Sequence, residues 1–181
     1  DIIIGKPLGI GILSHMIKNA SLSESAYKKM ISYTTRLNTP GRKFAGISEV
    51  HAMTDVTGFG LLGHLLEICK SSGVSAEIRF AEIPLISESV EYVKRENFPG
   101  AVERNWKSYS HLVEIPGEME HWQRRLLCDP QTSGGLLLSA SPTHTKEILS
   151  MFHESGFPEA SVIGKMHNLN QESLVQVIQK S

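Results

Sequence analysis

The stretch "TDVTGFG", Thr54 to Gly60, puts one carboxylate, Asp55, at the end of an apolar run and just ahead of a glycine-punctuated segment. A carboxylate there has two uses. It can cap the helix that follows, as Asp often does, or it can hold a hard cation such as Mg²⁺, which takes oxygen ligands and keeps waters and phosphate oxygens around it. Thr57, beside Gly58, can supply the cap, which leaves Asp55 one step too early for that task. Gly58, Gly60 and Gly63 would let a backbone or a phosphate approach closely, and the free N–H groups of a helix start attract anions.

A second chemically dense stretch is "CDPQTSGGLLL", Cys128 to Leu138. Pro130 and the Gly134–Gly135 pair make a tight turn into an apolar run. Asp129, Gln131, Thr132 and Ser133 crowd that turn, either to meet a ligand or to satisfy the loop's own backbone. Lys6, after the apolar opening, is a phosphate contact or a solvated strand-end charge, the commoner fate of Lys. Cys128 lacks a sequence partner that would depress its pKa, and both it and Cys69 sit among leucines as structural thiols. His51 and His64 flank Asp55 without the tight Cys or His spacing of a zinc site, so His64 reads as a packed histidine. Trp106, Tyr109 and Trp122 suit core or interface packing better than adenine stacking.

These residues need a scaffold. Asp1 to Leu8 reads as a strand, Ile12 to Asn19 as a short helix, and "SLSESAYKKMISYTTRLN" as an amphipathic helix capped by Ser23 with a stripe of Ala26, Met30, Tyr33 and Leu37. Pro40 and Gly41 break the chain before two further helical turns. "VHAMTDV" is predicted as a buried strand, Gly58 to Ser72 as a helix ended by Gly73, and "VSAEIRF" as a strand. Ser87 to Glu96 and Met119 to Leu127 read as helices, and Asn97 to Gly117 as mostly loop with a helical turn or two. "GGLLLSA" is a fully buried strand, Pro142 to Ser155 a helix opened by Pro142, and "SVIGKMH" with "SLVQVIQ" a closing antiparallel strand pair. Alternating strands and helices call for a mixed sheet covered by helices, an α+β or α/β sandwich in one domain.

The 181 residues are 40% hydrophobic and 20% charged, with a formal net charge of -1. That balance fits a soluble globular protein and offers no electrostatic case for nucleic acid or an anionic membrane. No apolar run is long enough to cross a bilayer, and two cysteines are too few for a disulfide framework, so a cytoplasmic setting is expected. The chain opens on Asp1 with a strand already core-like, whereas a true terminus usually frays; a single carboxy-terminal domain cut from a longer enzyme is the expectation.

"AMTDVTGFGLLGHL" and "LLCDPQTSGGLLL" resemble selenophosphate synthetase, also called selenide, water dikinase, as do "KPLGIGIL" at the start and "PGAVERNWKSY" in the middle. All four occur in the family's order, and the resemblance covers essentially the whole chain but only the carboxy-terminal part of a family member. The resemblance implies the three-layer α/β/α sandwich with a mixed sheet of the aminoimidazole ribonucleotide synthetase superfamily. It implies a reaction turning selenide, ATP and water into selenophosphate, AMP and phosphate, in a homodimer. The family's amino-terminal domain supplies most of the ATP site and the catalytic Cys or selenocysteine with a nearby Lys. The acid of its "TDVTGFG" motif joins acids of that domain as a Mg²⁺ ligand, a role that falls here on Asp55. Lys6, Thr57, Gly58, Gly60, Asp129, Thr132, Ser133 and Gly134 then belong to the phosphate or nucleotide vicinity, and no catalytic residue lies in this chain. Gly5 stands where family members often carry Thr, which weakens a ligand role at that position. A fragment holding only one such acid is expected to be inactive alone. The alternatives are another ATP-using relative of the superfamily, such as a ribonucleotide synthetase or a thiamine-phosphate kinase, and a non-catalytic dimerisation or regulatory domain.

Overall fold

Three consecutive isoleucines make an inner strand because both faces of that strand are covered. In the computed structural model, which describes residues 1–19, 22–169 and 173–179, β1 (Ile2–Ile4) is wholly buried. Ile2 and Ile4 face one apolar cluster and Ile3 the other, as the two-residue period of a strand requires. β1 lies between β5 (Leu136–Ala140) and β6 (Ser161–Asn168), antiparallel to both. β2 (Val50–Asp55) pairs antiparallel with β5 at one edge. On the far side, β3 (Val74–Arg79) pairs antiparallel with β6 and parallel with β7 (Val175–Ile178), and β7 carries the short β4 (Val113–Glu114) at the other edge. Among the described residues the sheet has seven strands in the order β2-β5-β1-β6-β3-β7-β4. It is mixed, as expected.

One face is covered by α4 (Gly60–Ser72), α6 (Ala101–Tyr109) and α7 (His121–Leu127), through Leu61, Leu65, Val102 and Leu127. The other is covered by α3 (Gly41–Phe44) and α8 (Thr145–Glu154), where Phe44 and Phe152 meet with ring centroids 4.6 Å apart. The result is the three-layer α/β/α arrangement. A third group, α1 (Ile10–Lys18), α2 (Glu24–Thr35) and α5 (Ser87–Lys94), packs beside it through Leu13, Met30 and Ile86.

Several expectations needed correction. The two closing strands are not partners, because β3 inserts between them. The segment from Asn97 to Gly117 contains α6, whose buried stripe of Val102, Asn105 and Tyr109 hides a helical period behind a polar residue. β2 is an edge strand with His51 and Asp55 exposed, not a buried one. Leu37 lies past the end of α2 and is 71% exposed, since Arg36 is already extended. α8 begins at Thr145, after a turn closed by the His144 N–H on the Ser141 carbonyl, so Pro142 precedes the helix. Ser23 does cap α2, accepting from the Ala26 N–H, and Gly73 ends α4 in the left-handed conformation.

Candidate functional site

Asp55 sits at the last position of the edge strand, opposite Leu136, with its carboxylate exposed. The two motif-bearing loops lie directly against each other. The Val56 N–H donates to the Gly135 carbonyl at 2.9 Å and the Gln131 N–H to the Thr57 carbonyl at 2.9 Å. Any side chain on Gly134 would collide with the Val56 carbonyl. Gly60 has φ +70, and a Cβ there would lie 2.7 Å from the Cys128 carbonyl carbon, so only glycine fits. Gly58, by contrast, faces open space.

Asn105 of α6 fastens this contact from behind: its Nδ2 donates to the Gly58 carbonyl at 2.9 Å and to the Cys128 carbonyl at 3.0 Å. The Tyr109 hydroxyl donates to the Phe59 carbonyl at 3.0 Å. Asn38 Nδ2 holds the Gly134 carbonyl at 2.9 Å. None of these positioning roles was assigned from sequence. Asn105 lies inside "PGAVERNWKSY", and its place in that motif was the signal the sequence offered.

Lys6 departs most from expectation. It is 2% exposed, and its ammonium donates to the carbonyls of Arg36 and Ser133, each at 2.7 Å. Burial pulls its pKa down to about 8; the Arg36 charge adds to the fall and the Asp55 carboxylate opposes it. Lys6 therefore meets the Ser133 carbonyl directly and lies within electrostatic reach of Asp55. Ser133 takes φ 54, a left-handed conformation rare for a non-glycine residue, and turns its carbonyl to the Lys6 ammonium. Thr132 and Ser133 are exposed.

Thr57 does not cap α4. Its hydroxyl is 2.9 Å from His64 Nε2, and His64 Nδ1 is 2.9 Å from a Glu67 carboxylate oxygen. His64 is thus the packed, hydrogen-bonded histidine expected. Asp129 is fully buried and serves α1: one oxygen accepts from the N–H groups of Gly11 at 2.9 Å and Ile12 at 3.3 Å and from Gln131 Nε2 at 2.9 Å. That carboxylate starts the helix at Ile10, two residues before the expected position. Burial pushes its pKa up to about 7 against the pull of those hydrogen bonds. Its other oxygen has no partner among the described residues.

Burial pushes the Cys69 thiol up to about 11 and the Cys128 thiol up to about 12, as suits structural cysteines. Trp122 packs on Phe80 and under the Lys94 ammonium, and Trp106 under Arg124. Among the described residues no group of three or more His, Cys, Asp or Glu side chains could hold a metal ion. Asp55 fits a hard cation as one exposed oxygen donor whose shell must be completed from elsewhere.

Residues 1–176 match the family described as AIR synthase related protein, C-terminal domain. Selenide, water dikinase of Dechloromonas aromatica (strain RCB) is 48% identical over 91% of this chain and 47% of its own length. The enzyme of the same name from Paraburkholderia xenovorans (strain LB400) is 44% identical over 98% of this chain and 49% of its own length. The chain thus spans about half the length of the curated relatives it matches. Among solved structures, thiamine-monophosphate kinase from Stenotrophomonas maltophilia K279a superposes with a TM-score of 0.65 at 17% identity, over 99% of this chain and 50% of that one. A chain of the HypE-HypF complex superposes with a TM-score of 0.67 at 12% identity, over 99% and 50%. Those two likenesses speak to the fold.

Proposed function

Because the chain belongs to the AIR synthase related protein, C-terminal domain family, we propose that it is the carboxy-terminal part of a selenide, water dikinase. The reaction converts selenide, ATP and water to selenophosphate, AMP and phosphate. The relatives of that name support the reaction; one arrangement supports the role of this chain. An exposed carboxylate, Asp55, ends strand β2 ahead of a loop held by backbone contacts, within electrostatic reach of the Lys6 ammonium and, among the described residues, without the further acids that a cation would need.

In this reading Asp55 gives one ligand to Mg²⁺, and an amino-terminal domain gives the remaining acids and most of the ATP site. The cation, when bound, neutralises charge on phosphate oxygens during phosphoryl transfer. The chain's own residues orient that ligand. Val56, Gly134 and Gln131 fix the loop on its neighbour, and Asn105 secures both from below. Lys6 keeps a positive charge beside the site, anchored by two carbonyls so that it cannot wander into the cation's position. Such anchoring matters because a displacement of about 1 Å can cost roughly a hundredfold in rate. A cytoplasmic homodimer, inactive when reduced to this half, completes the proposal.

The test is Asp55→Asn in the full-length protein, assayed for selenide-dependent AMP formation. The amide keeps the shape and removes the anionic ligand. Loss of about a hundredfold or more is expected if the carboxylate stabilises a transition-state cation. Undiminished AMP formation would remove Asp55 from the mechanism.

A further inference from the structure

α4 places His64 and Glu67 three residues apart on one face, directly after the loop that carries Thr57. His64 Nδ1 lies 2.9 Å from a Glu67 carboxylate oxygen, and its Nε2 lies 2.9 Å from the Thr57 hydroxyl. Both ring nitrogens are therefore engaged, which fixes the orientation of a buried imidazole. Phe59 covers the ring, with centroids 5.9 Å apart. A Cβ on Gly63 would stand 2.5 Å from the Phe59 Cβ, so glycine there lets Phe59 lie against the helix. The Tyr109 hydroxyl holds the Phe59 carbonyl in that place.

These three side chains form a hydrogen-bond chain of fixed polarity. An ionised carboxylate only accepts hydrogen bonds, and a neutral imidazole donates from one nitrogen and accepts at the other. Glu67 therefore sets the proton on His64 Nδ1 and leaves a lone pair on Nε2. Thr57 must donate its hydroxyl proton to that lone pair, so its oxygen turns its own lone pairs away from His64. The Thr57 backbone is fixed as well, since its carbonyl accepts from the N–H groups of Gln131 at 2.9 Å and Gly60 at 3.1 Å. The result is an oriented acceptor two residues beyond the exposed Asp55 carboxylate. Two residues of chain span at most about 7 Å. Mg²⁺ takes oxygen ligands at about 2.1 Å and keeps several waters, and an O–H···O bond adds about 2.8 Å, so carboxylate, cation, water and hydroxyl cover that span.

We infer that His64 is a positioning residue: backed by Glu67, it holds the Thr57 hydroxyl as a hydrogen-bond acceptor for a hydration water of a divalent cation at Asp55. The polarity of the chain follows from its three side chains alone; its use rests on the reading of Asp55 as a cation ligand.

Neutron diffraction from deuterium-exchanged crystals of the full-length protein, at pD 8 without Mg²⁺ or nucleotide, reads the polarity directly. Deuterium is expected on His64 Nδ1, absent from Nε2, and on the Thr57 hydroxyl facing Nε2. Deuterium on Nε2, alone or on both nitrogens, overturns the inference. The use is read from the Mg²⁺ concentration that gives half-maximal selenide-dependent AMP formation. Thr57→Val, Thr57→Ser, His64→Phe and the double variant of Thr57→Val with His64→Phe are compared, with thermal midpoints verifying that each is folded. Thr57→Val and His64→Phe should each raise that concentration about tenfold, a typical cost of losing an outer partner of a metal site. Thr57→Ser should stay within about twofold of wild type, and the double variant should be no worse than the worse single one. An unchanged value in Thr57→Val, an equal rise in Thr57→Ser, or additive rises in the double variant overturn the inference. Impaired Asp55→Asn beside an unchanged Thr57→Val marks the failure of this inference alone, whereas undiminished activity in Asp55→Asn marks the failure of the cation reading on which its use rests.

Discussion

Replacing Asp129 by Asn tests whether that carboxyl belongs to the fold or to a ligand. Its pKa rises from an ordinary 3.8 to about 7 because burial outweighs the hydrogen bonds from Gln131, Ile12 and Gly11. A carboxyl that holds its proton more tightly when folded favours the native state least where it is ionised. Its unfavourable contribution therefore grows as pH rises from 3.8 to about 7 and is constant above that. A shift of about three pH units corresponds to about 4 kcal/mol in full, of which about 2 to 3 kcal/mol develops between pH 5 and pH 8. The residue is wholly buried, so solvent does not dilute this figure. The Asp129→Asn amide would keep an oxygen for the Gly11 and Ile12 N–H groups and would carry no charge. Urea unfolding of both proteins at pH 5 and pH 8 reads the difference, the variant gaining about 2 to 3 kcal/mol on the wild type over that interval. Parallel pH profiles, within about 0.5 kcal/mol, would refute the reasoning and return Asp129 to the list of groups free to meet a ligand.

Asn105→Ala strands two carbonyls, those of Gly58 and Cys128, and should cost about 2 to 4 kcal/mol in urea unfolding while slowing AMP formation; a cost under about 1 kcal/mol would show that water replaces the amide. Cys69 and Cys128, buried and with thiols held at about 11 and about 12, should resist a disulfide reagent at pH 8 until the protein unfolds. Peptide mapping that finds either one modified within minutes in the native protein would contradict that burial.

Much of the architecture was legible because local chemistry and packing agreed. Ser23 starts α2 and Gly73 ends α4, each by the mechanism its residue type supplies. "GGLLLSA" forms β5, an inner strand, as an apolar run with both faces covered must. α6 escaped because it has only nine residues and places Asn105 in its buried stripe, where a periodicity argument looks for an apolar side chain. The closing strands were mispaired because neighbours in sequence are the default partners, and β3, about a hundred residues earlier in the chain, takes the place between them. Thr57 looked like a cap because it precedes a helix; its hydroxyl instead meets a ring seven residues on.

The sequence alone determined the identities that chemistry requires: a hard carboxylate at Asp55, glycines where two backbones touch, and the motifs that resemble one enzyme family. Those are properties of residue type and short spacing, readable before any folding. Tertiary structure alone decided who stands beside whom. It buried Lys6 on two carbonyls and assigned Asp129 to a helix start about 120 residues away. Contacts across such separations depend on how the layers stack, and burial, which sets the charge state of each group, exists only after that stacking is complete.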